Sequence, residues 1–256
     1  MATPRTGFLL GVLMLHATVA GAQARRPRPP RSTRDDITVG INVGAQVAGE
    51  GLNDQFSVIK NAEPTPITIA QPFSPSIFVD AGVTIRVRRR FGIAADVSFS
   101  SREHNATLNA SVPHPLFFNQ PRAVSGTASL SQSQTAIHLD AAYLVPPRPR
   151  RRTSVAILGG VSIFRIGQAL PTDINVAETY PFDTATLASV STTDASKIAV
   201  GFNGGVDVNW RRWRRAGLGA LMRYSRASTS LSAGGSNSVN VVAGGLQAAA
   251  GVRFVF

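Results

Sequence analysis

From residue 36 onward the chain alternates apolar and polar positions with a period of two, the signature of strands that differ on their two faces. The clearest case is about Asp36–Gly49, where Ile37, Val39, Ile41, Val43, Ala45 and Val47 alternate with Thr38, Gly40, Asn42, Gly44 and Gln46. The same rule predicts seven more strands: about Ser76–Arg88, Phe91–Arg102, Gln132–Val145, Ser154–Gly167, Lys197–Trp210, Ala216–Ser228 and Val239–Phe256. The fifth is the least clean, because Leu158, Phe164 and Ile166 oppose Val155, Ile157, Val161 and Ile163. Connections alternate in length. Arg88–Phe91, Pro146–Thr153 and Arg211–Gly217 are short. The segments at about 50–75, 104–131 and 169–196 are long, and Leu231–Ser238 is shorter. An even number of antiparallel strands with alternating turns and loops predicts a transmembrane β-barrel with short periplasmic turns and long extracellular loops.

Which face is polar separates this reading from a soluble barrel or sandwich. One face would carry Asp80, Asp96, Asp140, Asp207, Arg86, Arg223, Arg253 and His138, with Asn42, Gln46, Asn203 and Gln247. The other is almost free of charge on seven of the eight strands. In water such a surface aggregates; in a bilayer it is the lipid-facing band. Tyr143, Trp210, Tyr224, Phe91, Phe254 and Phe256 lie near strand ends on that face, where aromatic girdles belong. Phe78, Leu158, Phe164 and Leu221 are the inward apolar candidates.

The N-terminus reads as an export signal over residues 1–22. Arg5 precedes the apolar run Phe8–Val19, and Ala20-Gly21-Ala22 fits a small-x-small cleavage site. Residues 23–35 are rich in Pro and Arg and read as a disordered lead-in, and the barrel spans 36–256. Cleavage leaves about 230 residues, room for one β-rich domain. The chain has no Cys, so thiolate metal sites and Cys catalysis are excluded. Its formal charge of +12 raises nucleic-acid binding. The arginines, however, gather at 25–34, 88–90, 148–152 and 211–215, the last three at tight connections, which suits anionic lipid headgroups better.

Buried inward charges must pair, so the Asp, Arg and His set reads as a structural ionic network, with an ion path or proton relay as the rival reading. His138 beside Asp140 suggests an enzyme, but both point inward in mid-strand, and no His–Ser pair stands at a lipid-facing edge. His104 and His114 fall in loop sequence. The pairs Gly159-Gly160, Gly204-Gly205, Gly234-Gly235 and Gly244-Gly245 lack the Lys-Ser/Thr ending of a phosphate loop. They read as bends, bulges or close packing. No metal or cofactor site is predicted. The loop residues Val58, Ile59, Ile67, Ile69, Phe73 and Leu116-Phe117-Phe118 read as strand extension or loop packing before they read as an adhesive surface.

Strand count, loop alternation, export signal and the ending Val252-Arg253-Phe254-Val255-Phe256 together resemble the small bacterial outer-membrane β-barrel superfamily, in the manner of the OmpA transmembrane domain, OmpX and OmpW-like proteins. The resemblance implies an integral outer-membrane protein with a structural or cell-surface role. It implies the bilayer, lipopolysaccharide and the barrel-assembly machinery as partners, with Phe254 and Phe256 as the assembly signal. The alternatives are a small channel for a hydrophobic or small polar solute and a lipid-modifying enzyme.

Overall fold

In the computed structural model the described residues are 36–146, 152–232 and 238–256. The expected signal peptide and lead-in, residues 148–151 of the third arginine cluster, and Gly234-Gly235 lie outside them. Ten strands follow in order: β1 (Ile37–Ala48), β2 (Leu52–Lys60), β3 (Glu63–Gln71), β4 (Ser76–Arg88), β5 (Phe91–Pro113), β6 (Pro121–Val145), β7 (Thr153–Glu178), β8 (Ala185–Arg211), β9 (Ala216–Ser232) and β10 (Ser238–Val255). Eight of them close an antiparallel ring: β1 pairs with β4, then β5 to β10 pair in sequence, and β10 returns to β1. The hairpin β2–β3 stands outside the ring and adds to β5 through Ile67–Ala70.

The predicted eight strands are therefore the ring, but the long connections are not loops. The 104–131 segment is mostly the upper parts of β5 and β6, and 169–196 those of β7 and β8. The 50–75 segment is mostly β2–β3. Between β6 and β7 pairing stops at Gln132–Gln168, whereas β7–β8 pairing continues to Glu178–Ala185. That leaves about 33 Å of β7 beyond the last β6–β7 pair, at roughly 3.3 Å per residue. Above the ring the wall divides into separate hairpins.

The cause is visible on β6. Its outward positions read Ser125, Thr127, Ser129, Ser131, Ser133 and Thr135, then Ile137, Leu139, Ala141, Tyr143 and Val145. Its inward positions do the reverse: Val124, Gly126, Ala128 and Leu130 come first, then Gln132 and Gln134, and His138 and Asp140 lie below. The two faces exchange polarity near Thr135. Strand β5 does the same, its outward Phe91, Ile93, Ala95, Val97 and Phe99 giving way to Ser101, Glu103 and Asn105. Below the exchange the outside is apolar and the inside polar, as lipid outside requires. Above it the outside is polar and the inside is an ordinary water-excluded core. Ile137–Val145 at about 3.3 Å rise and roughly 40° tilt spans about 20 Å, close to the apolar band of a membrane barrel.

The upper core has two parts. Leu52, Phe164, Ile166, Leu170, Leu231, Val239 and Val241 form one. Phe56, Ile67, Ile69, Leu108, Val112, Val124, Leu130 and Ile174 form the other. The expected inward apolar set was thus too small: Phe78, Leu158, Phe164 and Leu221 are buried as expected, but Phe164 belongs to the upper core and the interior extends well beyond these four.

Of the glycine pairs, Gly244-Gly245 makes the bend. Both adopt positive φ (89° and 134°), and β1–β10 pairing shifts between Gln46 and Ala48 beside them. Parity on β10 runs through unchanged: Val239, Val241, Ala243, Gln247 and Arg253 face in and Leu246, Ala248 and Ala250 face out, while the extra residue of the bulge is Val47 on β1. Gly159-Gly160 and Gly204-Gly205 sit opposite one another in regular β7–β8 pairing.

Candidate functional site

Inside the lipid-facing band the interior is a charge network. Arg223 on β9 has no solvent exposure. It meets Asp80 of β4 at 2.9 Å and Asp96 of β5 at 3.2 Å. Asp80 also accepts a bond from the Asn42 amide at 2.7 Å. Asn42 Oδ1 in turn accepts from Arg253, whose guanidinium grips both oxygens of Asp207 at 2.6 and 3.2 Å. The chain Asp207–Arg253–Asn42–Asp80–Arg223–Asp96 therefore crosses the barrel without a break. Space is made by small residues: a side chain at Gly82 would collide with Asp96, and one at Gly219 would lie 2.5 Å from the Arg253 guanidinium carbon.

A second hydrogen-bonded group lies above it. His138 is bonded through Nδ1 to Ser162 at 2.7 Å and shares a 3.2 Å contact through Nε2 with Ser98. Asn203 donates to Ser162 at 2.9 Å, and Phe164 meets the imidazole edge-on. Asp140 is buried on the adjoining wall and takes part in no ion pair among the described residues. Arg86 also stands apart from the network. It lines a recess at the periplasmic end with Asp36 and Asp207. The interior set thus resolves into one ionic chain, one histidine cluster and two outlying members. Ser98, Ser162 and Asn203 had no signal beyond their inward parity.

The void beside the ionic chain, between Asp96, Asp207, Leu158 and Arg253, is about 20 Å³, room for one or two waters. A roomier cavity of about 220 Å³ lies in the upper barrel, lined by Leu52, Asp54, Phe56, Ile69, Leu170 and Val239. Burial at its edge pushes the Asp54 carboxyl above the usual range. Another, of about 200 Å³, sits at the bulge, between Ala48–Glu50 and Gly244–Leu246, beside the Arg226–Glu50 ion pair. His104, expected in a loop, belongs to β5 and lines a small recess with Arg102 and Gln132. Burial and the nearby Arg102 charge lower its pKa.

At the extracellular apex three hairpin turns are tied together. Arg122 of β6 pairs with Glu178 of β7 at 2.5 Å and donates to the carbonyls of Phe182 and Pro113. Asn61 also donates to Pro113, and Glu63 accepts from the Asn119 backbone. Lys60 of β2 meets Asp173 of β7 at 2.9 Å. His114 stacks on Phe117 at 4.9 Å and meets Phe182 edge-on, while Phe182 meets Tyr180. This crown exposes Ile59, Leu116, Phe117, Phe118 and Tyr180, between 55% and 79% each. Of the apolar residues expected in loops, Ile67 and Ile69 enter the core and Phe73 lies against Arg102. Leu116-Phe117-Phe118 stay outside. An aromatic cluster within Ser- and Thr-rich sequence was the signal available for the crown.

These features define a class: a small outer-membrane-type β-barrel of eight ring strands, with lipid outside and a filled interior. No protein-family profile matches the chain, and no curated protein matches it. Solved structures of similar fold include the outer-membrane protein OprG of Pseudomonas aeruginosa, with a TM-score of 0.47, 10% identity, and coverage of 86% of this chain and 95% of that one. Neisserial surface protein A matches with a TM-score of 0.42, 13% identity and coverage of 87% and 98%. The outer-membrane protease OmpT of Escherichia coli matches with a TM-score of 0.43, 9% identity and coverage of 88% and 98%.

Proposed function

We propose that this chain is an integral outer-membrane barrel that acts at the cell surface through its aromatic crown, and that it is neither a pore nor an enzyme. The observation that carries the reading is the crown itself. Large apolar side chains normally leave water, yet five stand exposed on turns that ion pairs and backbone bonds hold in place. A contact surface fixed before binding avoids the ordering cost that mobile loops incur. The void of about 20 Å³ at the ionic chain supports a sealed barrel. An enzyme reading around His138 meets the difficulty that His138 and Ser162 have no solvent exposure, so a substrate has no route to them. In this reading the lipid-facing band rests among phospholipid and lipopolysaccharide acyl chains. Phe254 and Phe256, both exposed on that band, serve recognition by the assembly machinery.

The test is cell adhesion. Cells producing the barrel should bind hydrophobic or host-cell surfaces more than empty-vector cells. The variant F117S/F118S/Y180S should lose that gain at equal surface amount. Equal adhesion by the variant, or no gain from the parent, refutes the surface role. Planar-bilayer recording checks the sealed interior, and a stable large conductance from the purified barrel refutes that part.

A further inference from the structure

The arginines of the short turns form a surface that the crown does not explain. Arg88 closes β4, Arg89 and Arg90 make the turn to β5, and Arg212, Arg214 and Arg215 lie between β8 and β9; all are exposed. The two turns open on the same end of the ring, and exposed Arg152 joins them at the start of β7. None of these seven side chains makes an ion pair or hydrogen bond among the described residues. The one exposed acid described on this rim is Asp36, which lies at the recess of Arg86. The opposite end is handled differently, for Lys60, Arg122 and Arg226 each meet a carboxylate. Seven exposed arginines without a partner among the described residues are therefore gathered at one end.

Depth decides what it meets. Exposed Val87 and Phe91 flank Arg88–Arg90, and exposed Trp210 and Trp213 flank or interrupt the second cluster. Aromatic residues at such positions mark the headgroup level. Guanidinium groups one to three residues away sit among lipid phosphates and do not reach a distant polymer. Arginine also suits phosphate better than lysine does, because its planar fork donates two parallel bonds.

We propose that this rim is a binding surface for anionic phospholipid headgroups, gathering phosphatidylglycerol-type lipids around the barrel in the periplasm-facing leaflet. The inference rests on the membrane-spanning fold and is independent of the crown. The purified full chain, reconstituted in mixed phosphatidylglycerol and phosphatidylcholine bilayers, tests it with spin-labelled lipids of each kind. The wild type should enrich the anionic lipid by about threefold or more, since each basic residue at an anionic surface adds attraction. The preference should fall in 0.5 M NaCl, as about one Debye length shrinks below 5 Å. A variant with Arg88, Arg89, Arg90, Arg212, Arg214 and Arg215 all changed to Gln should lose most of it while keeping its heat-modifiable gel mobility. Equal retention of both lipids by the wild type overturns the proposal, as does an unchanged preference in the folded variant. If the variant fails to insert, the wild-type comparison and its salt dependence still decide. Cosedimentation with purified peptidoglycan, lost in the Gln variant and without any lipid preference, assigns the rim to that polymer and equally overturns the proposal.

Discussion

Changing Arg223 to Met removes the guanidinium that holds two carboxylates, Asp80 with no solvent exposure and Asp96 largely buried. Methionine keeps most of the length and all of the apolar contact, so the loss is electrostatic. Asp80 keeps its bond from Asn42, but Asp80 and Asp96 then face each other without the cation between them. Breaking a buried pair in this way costs on the order of 3–5 kcal/mol. Arg223 joins two such pairs, at 2.9 and 3.2 Å, so the upper part of that range is expected. Neutralising the carboxylates should restore most of the loss: R223M/D80N/D96N should lie within about 1–2 kcal/mol of wild type, because a well-packed neutral replacement of a buried ion pair is often tolerated. The assay is reversible urea unfolding in lipid vesicles, followed by tryptophan fluorescence and by the gel shift between folded and unfolded barrel. Arg223→Met within 1 kcal/mol of wild type, or a triple variant no better than the single one, refutes the idea that charge pairing holds this interior.

Three further outcomes follow from the same structure. Leu139→Arg and Ser129→Arg lie on the same face of β6, so the first should destabilise insertion by about 2–4 kcal/mol and the second by less than about 0.5 kcal/mol in the same unfolding assay. Gly82→Ala drives a methyl into Asp96 and should cost about 1–3 kcal/mol as overpacking, measured as a lower urea midpoint. Gly244→Val forces a β-branched residue to φ near +89° and should cost about 1–3 kcal/mol, with greater protease sensitivity in β10 than in β5.

The ring was legible because lipid enforces a strict code: within the band each outward position is apolar, and Ile77, Val79, Ala81, Val83, Ile85 and Val87 of β4 announce themselves. The upper strands were hidden by the polarity exchange. Where Ser125, Thr127 and Ser129 take the outward positions and Gly126 and Ala128 the inward ones, alternation becomes small against small, which reads as loop. The apolar residues on both faces of the fifth predicted strand were the sign that the interior was changing character there. The charge network was legible as a set of inward positions but not as pairs. Asp80 and Arg223 are 143 residues apart and stand on strands that are not neighbours in the ring, so their contact depends on barrel closure. The same holds for the crown, which exists because turns from β2–β3, β5–β6 and β7–β8 arrive at one place.

The exchange of polarity along β5 and β6 also means that one set of strands is dissolved in two solvents. The upper core is held by expulsion of water from Leu52, Ile67, Leu108, Leu130 and their neighbours, a force that fades on cooling and carries a large heat-capacity change. The lower barrel turns its apolar side to acyl chains and its polar side inward, so its folding from a lipid-inserted state transfers little apolar surface out of water. The two halves should therefore answer temperature differently. Near freezing, the hairpins above the bilayer are expected to exchange amide hydrogens faster relative to the ring than they do at 25 °C, although the same backbone runs unbroken through both.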